Sequence, residues 1–123
     1  MWRITLAALL IGGCAIAASI LRITENDGGK TFEMKVGDTF ELSLKMASGT
    51  GYIWELSPVD THLLQADERR TLADNPSMPG APVRVIWPFK ALAAGRTTLT
   101  ALLVRPWMRD QPAEKFQATI VIR

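Results

Sequence analysis

Short runs in which apolar and polar residues alternate strictly are the feature that most constrains the fold of this chain. In the run TFELSLKM, from Thr39 to Met46, every second residue is apolar. Successive side chains of a β-strand point to opposite faces, so this period of two predicts a strand with one buried face and with Glu41, Ser43 and Lys45 on the other. The same alternation occurs in the runs TFEMKV, GYIWEL and KFQATIVIR.

The other segments extend this pattern. A first strand is expected from about Leu21, and the runs VRVIWPFKAL and RTTLTALLVRPW are rich in β-forming residues. Pro88 inside the first of these two runs predicts an edge strand or a bulge. The segment 69–82 contains three prolines and is predicted to be a loop, while the short run HLLQAD before it is ambiguous.

About seven short strands without a convincing amphipathic helix predict an all-β fold, an immunoglobulin-like Greek-key β-sandwich. The chain has 123 residues, of which 48% are hydrophobic. That length suffices for one domain with a substantial core and is too short for two. The Cys–Trp–Cys pattern of true immunoglobulin domains does not occur in the sequence.

The N-terminal segment has the organisation of a secretory signal peptide. One positive charge, at Arg3, precedes an apolar run from Ile4 to Ile11, which is too short to span a bilayer. The following IGGC motif resembles a bacterial lipobox, and it contains Cys14, the only cysteine of the chain. The alternative is that Cys14 is an ordinary residue of the signal, with cleavage nearer Ala17 or Ala18.

In the lipobox interpretation, residues 1–13 are the signal peptide and Cys14 is the lipid-bearing first residue of the mature chain. Residues 14–30 then form a tether and the first strand, and residues 31–123 form the main domain. We expect a periplasmic or outer-membrane-anchored bacterial lipoprotein, held to the membrane through the lipid on Cys14.

The composition argues against catalysis. The chain has one histidine, His62, in a polar connection, and no second cysteine, so neither a metal site nor a nucleophile with its base is expected. The formal net charge is +2 and the basic residues are scattered, so a nucleic-acid partner is not expected either. A pair of catalytic carboxylates stays open, because the sequence does not show which acidic residues converge. The other observations predict a binding protein without catalytic residues, metal or cofactor, and we expect it to be a monomer.

Three segments stand out as candidate binding loops, because sandwiches bind through loops gathered at one end. The first is ASGTGYIW, from Ala47 to Trp54. The second is MPGAPV, from Met78 to Val83, and the third is RPW, from Arg105 to Trp107.

With these three motifs, in this order and with these strands between them, the chain resembles the chagasin family of papain-type cysteine peptidase inhibitors over roughly residues 31–123. The TGY and RPW motifs match those of the family. The segment 47–49 departs from the Asn-Pro-Thr that opens the first family loop, and Pro82 and Val83 stand where the second has glycines.

The resemblance implies reversible occlusion of the active-site cleft of a papain-type peptidase by the three loops. In this interpretation residues 31–123 are the inhibitor domain. The peptidase-binding residues it implies are Thr50, Gly51, Tyr52, Gly80, Ala81, Arg105, Pro106 and Trp107. The first competing hypothesis is an immunoglobulin-like envelope lipoprotein module that binds another protein or ligand and does not inhibit. The second is a structural envelope domain in which the motifs serve only folding.

Several of these residues also have a structural interpretation. Trp54 is expected in the core, Trp87 and Phe89 in the core or on a sheet face, and Trp107 is expected to be exposed. Tyr52 either packs in the core or supports its loop. Arg105 either pairs with a nearby carboxylate or braces its loop, or it contacts the partner directly.

Overall fold

A computed structural model describes residues 20–47, 49–73, 77–78 and 80–123, and Cys14 lies outside these residues. The described chain is all-β, as predicted, apart from one turn of 3₁₀ helix at Glu25–Asp27. Its nine strands are β1 (Leu21–Thr24), β2 (Thr31–Met34), β3 (Thr39–Met46), β4 (Ile53–Leu56), β5 (Leu64–Ala66), β6 (Arg70–Ala73), β7 (Val83–Ala91), β8 (Gly95–Val104) and β9 (Glu114–Ile122).

The strands form two sheets that pack face to face. One sheet has five strands, in the order β1-β3-β7-β5 with β6 also paired to β7, and the other has four, in the order β2-β9-β8-β4. Strands β1 and β2 run parallel to their neighbours β3 and β9, and the other pairs are antiparallel. The chain crosses repeatedly between the sheets, as the predicted Greek-key sandwich requires.

The two strands beyond the seven expected are β5, in the run that the sequence left ambiguous, and β6, in the predicted loop. The N-terminal strands β1 and β2 join different sheets, on either side of the 3₁₀ turn. That turn is stabilised by a capping box, in which Thr24 and Asp27 exchange hydrogen bonds. On the opposite side of the first sheet, β5 and β6 pair with successive parts of β7.

The core lies between the sheets and contains the alternating apolar residues of the long strands. Phe40 and Phe89 are direct partners across β3 and β7, and their rings stack with centroids 5.1 Å apart. Trp54 and Trp87 are also buried, which confirms the predictions for both tryptophans and for Phe89. The indole N–H of Trp54 donates to the carbonyl of Lys45 at 3.0 Å, so its one polar atom is satisfied.

The outer face of β3 differs from the prediction, because Glu41 and Ser43 are buried. Glu41 accepts hydrogen bonds from Arg22 at 3.2 Å and from Arg70 at 2.8 Å, and Arg84 donates to Ser43 at 3.2 Å. Long arginine side chains from β1, β6 and β7 therefore cover a face that the alternation alone assigned to solvent.

Two further local predictions were wrong. The start of the predicted loop 69–82 is strand β6, which pairs with β7. Strand β7 is not an edge strand although it contains Pro88, so the first of the two alternatives for Pro88 is wrong; the irregularity lies in the neighbouring strand, where the three residues 67–69 stand opposite two of β7. Pro88 lies opposite the interruption between β5 and β6, where its carbonyl accepts from the Asp67 N–H at 2.9 Å, so its missing N–H removes no strand pairing there.

Val36 was expected to extend the buried face of β2, but the strand ends at Met34 and half of Val36 is exposed in the following turn. No helix within the described ranges is long and apolar enough to cross a membrane.

Candidate functional site

The strand register brings three loops to one end of the sandwich. The first loop (47–52) leaves β3 at Met46, whose partner Val83 begins β7 and also pairs with the last residue of β6. The second loop (74–82) therefore lies at the same end. Ile53, which follows the first loop, pairs with Val104 at the end of β8, where the third loop (105–113) begins. The predicted gathering of the three motifs follows from this register.

The first loop is organised around Thr50. The Thr50 hydroxyl donates to the Ala47 carbonyl at 3.3 Å and accepts from the Tyr52 N–H at 3.2 Å. These bonds compensate in part for the absent Asn-Pro-Thr segment, since they restrain the backbone on both sides of the tip. Gly51 has φ +83°, a left-handed conformation that a residue with a Cβ adopts only at a cost.

The third loop opens with a tight turn. The Met108 N–H donates to the Arg105 carbonyl at 2.8 Å, so Pro106 and Trp107 occupy its two corner positions. Trp107 is 68% exposed, the highest value among the exposed large hydrophobic residues of the described chain. The prediction that Trp107 is exposed is therefore confirmed.

The first and third loops contact each other at two points. The indole of Trp107 packs over Gly51, where an added Cβ would lie 3.0 Å from Cη2 of the ring. The guanidinium carbon of Arg105 lies 4.5 Å from the centroid of the Tyr52 ring, within the range of a cation–π interaction. Arg105 thus braces its loop through an aromatic ring, and half-buried Tyr52 supports the first loop.

Arg109 provides a third connection, which our sequence analysis missed. Its Nε lies 3.0 Å from both carboxylate oxygens of Glu55, its Nη2 lies 2.9 Å from Oε2, and its Nη1 donates to the Pro106 carbonyl at 3.1 Å. The hydrogen bond from Arg109 lowers the pKa of Glu55 below its ordinary value, and the same bond raises the pKa of Arg109. Because the two residues are 54 positions apart, no local sequence signal indicates the pair.

The second loop is described in part, at residues 77–78 and 80–82. Gly80 has φ +75°, and the Ala81 N–H donates to the Met78 carbonyl at 3.1 Å, which closes a turn. Met78 is 58% exposed and adds apolar surface to this end. The structure therefore joins six of the eight predicted residues in the two contacting loops, and it places Gly80 and Ala81 at the same end on the side of the five-stranded sheet.

These residues are suited to binding and not to chemistry. His62 is exposed, and its backbone N–H donates to Asp60 at 3.0 Å. Within the described part of the chain, no three His, Cys, Asp or Glu side chains are grouped so that they could hold a metal ion. A rigid sandwich that presents backbone at a glycine tip beside an exposed indole defines a protein-binding module of the immunoglobulin-like type.

Comparison with known families identifies the module more closely. Residues 33–122 match the family model described as chagasin family peptidase inhibitor I42. The chain therefore belongs to the chagasin family, and it is a peptidase inhibitor and not an enzyme. The resemblance seen in the three motifs is confirmed.

Solved structures agree with this assignment. The cysteine protease inhibitor EhICP2 from Entamoeba histolytica is 27% identical, with a TM-score of 0.76, over 85% of this chain and 96% of that one. Amebosin is 18% identical, with a TM-score of 0.70, over 86% and 100% of the two chains. PbICP-C, solved in complex with falcipain-2, is 15% identical, with a TM-score of 0.63, over 89% and 95%. The last two comparisons show the shared fold, and a search among curated proteins gave no match.

Proposed function

We propose that this protein inhibits papain-type cysteine peptidases reversibly, by occluding the active-site cleft with its three loops. The observation that carries the proposal is the contact between Gly51 and Trp107, which joins a side-chain-free tip to a large exposed aromatic surface. Membership of the chagasin family supports it, as does the similarity to EhICP2, a cysteine protease inhibitor. The competing hypothesis of a non-inhibitory envelope module is not favoured by that family membership.

The mechanism follows from the shapes of the loops. A peptidase cleft buries its nucleophile, so the blocking segment must be narrow, and the Thr50–Gly51 backbone meets this requirement. The tip would occupy the cleft without presenting a peptide bond in attack geometry, which makes the inhibition reversible. Trp107 would bury apolar area on one flank of the cleft, and the loop with Gly80 and Ala81 would cover the other.

Order in the loops before binding supports the proposal energetically. The two hydrogen bonds of Thr50 and the stacking of Arg105 on Tyr52 already hold the tip in the free protein. A pre-organised loop avoids an ordering cost of about 0.5–1.5 kcal/mol for each side chain that would otherwise be immobilised on binding.

We further propose that the protein is a monomeric lipoprotein, anchored through Cys14 to the periplasmic face of a bacterial membrane. The direction of β1 supports this arrangement. Leu21 pairs with Phe40 near the start of β3, whereas β3 ends next to the first loop. A tether that enters at Leu21 would therefore approach from the end opposite the loops and leave them facing away from the membrane.

The decisive experiment is an inhibition assay with papain and a cathepsin L-type peptidase. We expect competitive, reversible inhibition, and no inhibition at micromolar protein would refute the proposal for this class of peptidase. The Thr50→Trp variant should inhibit much less, because a bulky side chain would block insertion of the tip. Thr98→Trp, on the exposed face of β8, is the matched control and should inhibit like the wild type.

The anchor is tested separately. Cys14→Ala should abolish acyl labelling and release the protein from membranes. Continued acylation of this variant would refute the lipobox interpretation without affecting the inhibition proposal.

A further inference from the structure

We propose that Arg109 is a positioning residue that holds the third loop in its binding conformation by joining Glu55 on β4 to the Pro106 carbonyl. The inference rests on the proposed function, because it concerns how Trp107 is presented to the peptidase. It assigns a supporting role to two residues that lie outside the three motifs.

The contacts of Arg109 join a rigid element to a loop corner. Glu55 lies within β4 and pairs with Leu102 of β8, so the carboxylate stands on a hydrogen-bonded sheet. Two nitrogens of the guanidinium bind this carboxylate, at distances of 2.9 to 3.0 Å, and a third donates to the Pro106 carbonyl. The planar guanidinium fixes these directions relative to one another, which a lysine ammonium would not do.

The Pro106 carbonyl is the group through which Arg109 can orient Trp107. It belongs to the peptide unit that Pro106 shares with Trp107, so holding it restrains the direction in which the indole leaves the backbone. The indole is 68% exposed and packs over a glycine, so contacts of its own side chain hold it only weakly. The orientation of the exposed ring therefore depends largely on the conformation of the backbone that carries it.

The role differs from that of an ordinary surface ion pair. The Arg109 side chain is 61% exposed and that of Glu55 is 33% exposed, so the pair adds little to global stability. Its expected effect is to keep the third loop in one conformation. It also differs from Arg105, which stacks on Tyr52 inside the contact between the loops.

The test compares Arg109→Gln, Glu55→Gln and the double variant in the inhibition assay. We expect each single variant to raise the inhibition constant about three- to tenfold. The reason is that one or two side chains that are ordered beforehand in the wild type would have to be ordered on binding in the variant. The double variant should equal the single ones, since both changes remove the same connection. The matched control is Arg123→Gln, which removes an exposed ion pair with Glu33 at the opposite end and should change nothing.

A second readout distinguishes positioning from direct contact with the peptidase. The purified protein is labelled with 5-fluorotryptophan, and the ¹⁹F signal of Trp107 is assigned by its absence in Trp107→Phe. This signal reports the mobility of the ring in the free protein. Arg109→Gln should increase this mobility, and Arg123→Gln should not. The proposal is overturned if the two variants give equal mobility, or if Arg109→Gln weakens inhibition while Glu55→Gln does not.

The two proposals can fail independently. If the wild-type protein inhibits no papain-type peptidase, the proposed function fails. The ¹⁹F comparison in the free protein would still decide whether Arg109 positions Trp107.

Discussion

Gly51 and Trp107 are in direct contact, and they make the tip of one loop depend on the side chain of another. A Cβ on residue 51 would stand 3.0 Å from the indole Cη2, tighter than ordinary van der Waals contact. With φ +83°, the same residue also occupies a backbone conformation that favours glycine. The backbone conformation therefore favours glycine at position 51, and a side chain there would have to displace the indole, so we treat the two loops as one binding unit.

Gly51→Ala should weaken inhibition by about tenfold or more, because the added methyl group displaces Trp107 and the strained backbone costs on the order of 1 kcal/mol. Inhibition constants and thermal unfolding of the variant measure the two effects. Gly29→Ala is the matched control: φ is +81°, and a Cβ there would meet no heavy atom within 4 Å among the described residues. It should lower stability similarly and leave inhibition unchanged, and equal inhibition by the two variants would contradict the predicted contact.

Trp107→Ala should raise the inhibition constant about 30-fold or more, because truncating a large aromatic side chain that is buried on binding removes much of the interface energy. Because the ring is largely exposed, the free energy of unfolding should change by less than about 0.5 kcal/mol. Leu72→Ala removes another exposed side chain, on β6, and should inhibit normally. A large loss of thermal stability in Trp107→Ala would instead mean that the ring serves folding.

Tyr52→Leu should weaken inhibition severalfold and lower stability by about 0.5–1 kcal/mol, because it removes the ring on which Arg105 stacks. Tyr52→Phe keeps the ring and should behave like the wild type. Inhibition assays and urea unfolding of both variants provide the measurement. If Tyr52→Phe is as impaired as Tyr52→Leu, the phenol hydroxyl matters and the stacking explanation is wrong.

The ion pair between Glu55 and Arg109 should make the third loop sensitive to acid. The pKa of Glu55 is lowered in the folded protein by the hydrogen bond from Arg109, with further contributions from the charges of Arg109 and Arg69. A lowered pKa means that the pair contributes fully above the ordinary glutamate value and is lost as the pH falls through the folded value. The mobility of Trp107 should therefore be constant near neutrality and increase in that acidic window.

The same measurement on Arg109→Gln isolates this effect. The pKa of Asp27 is also lowered, chiefly by the hydrogen bond from the Thr24 N–H, so the global stability of the wild type reports more than one carboxylate. The Trp107 signal reports the third loop, and in Arg109→Gln it should be already mobile and nearly independent of pH. A wild-type signal that does not change on acidification would refute the prediction.

The sequence predicted the parts of the fold that depend on local periodicity. Alternation in β3 and β9 identified the buried face, because apolar residues on one side of a strand must face a core. It could not identify what covers the other face. Burial of Glu41 depends on Arg22 and Arg70, which are 19 and 29 residues away and meet it only when the four strands β1, β3, β7 and β6 are assembled.

In the candidate site, too, local patterns could be predicted from the sequence and contacts between distant residues could not. The three motifs were visible because each is a short local pattern, and a family resemblance connected them. The contacts between the loops were not visible, since the Tyr52–Arg105 and Glu55–Arg109 pairs are formed by the register of β4 on β8. Pro88 was misleading for a related reason: the penalty for proline in a central strand disappears where the neighbouring strand is interrupted.

Glu41→Gln should lower the free energy of unfolding by about 1–3 kcal/mol, since it leaves a buried group with weaker partners. Arg22 and Arg70 are more than half exposed and can turn to solvent, which keeps the loss below that of a fully buried ion pair. Glu33→Gln, in the exposed pair with Arg123, is the control and should cost less than about 0.5 kcal/mol. Both variants should inhibit normally once folded, because Glu41 and Glu33 lie in the sheets and away from the three loops. Equal stability of the two variants, measured by urea unfolding, would show that the covered face of β3 does not stabilise the fold.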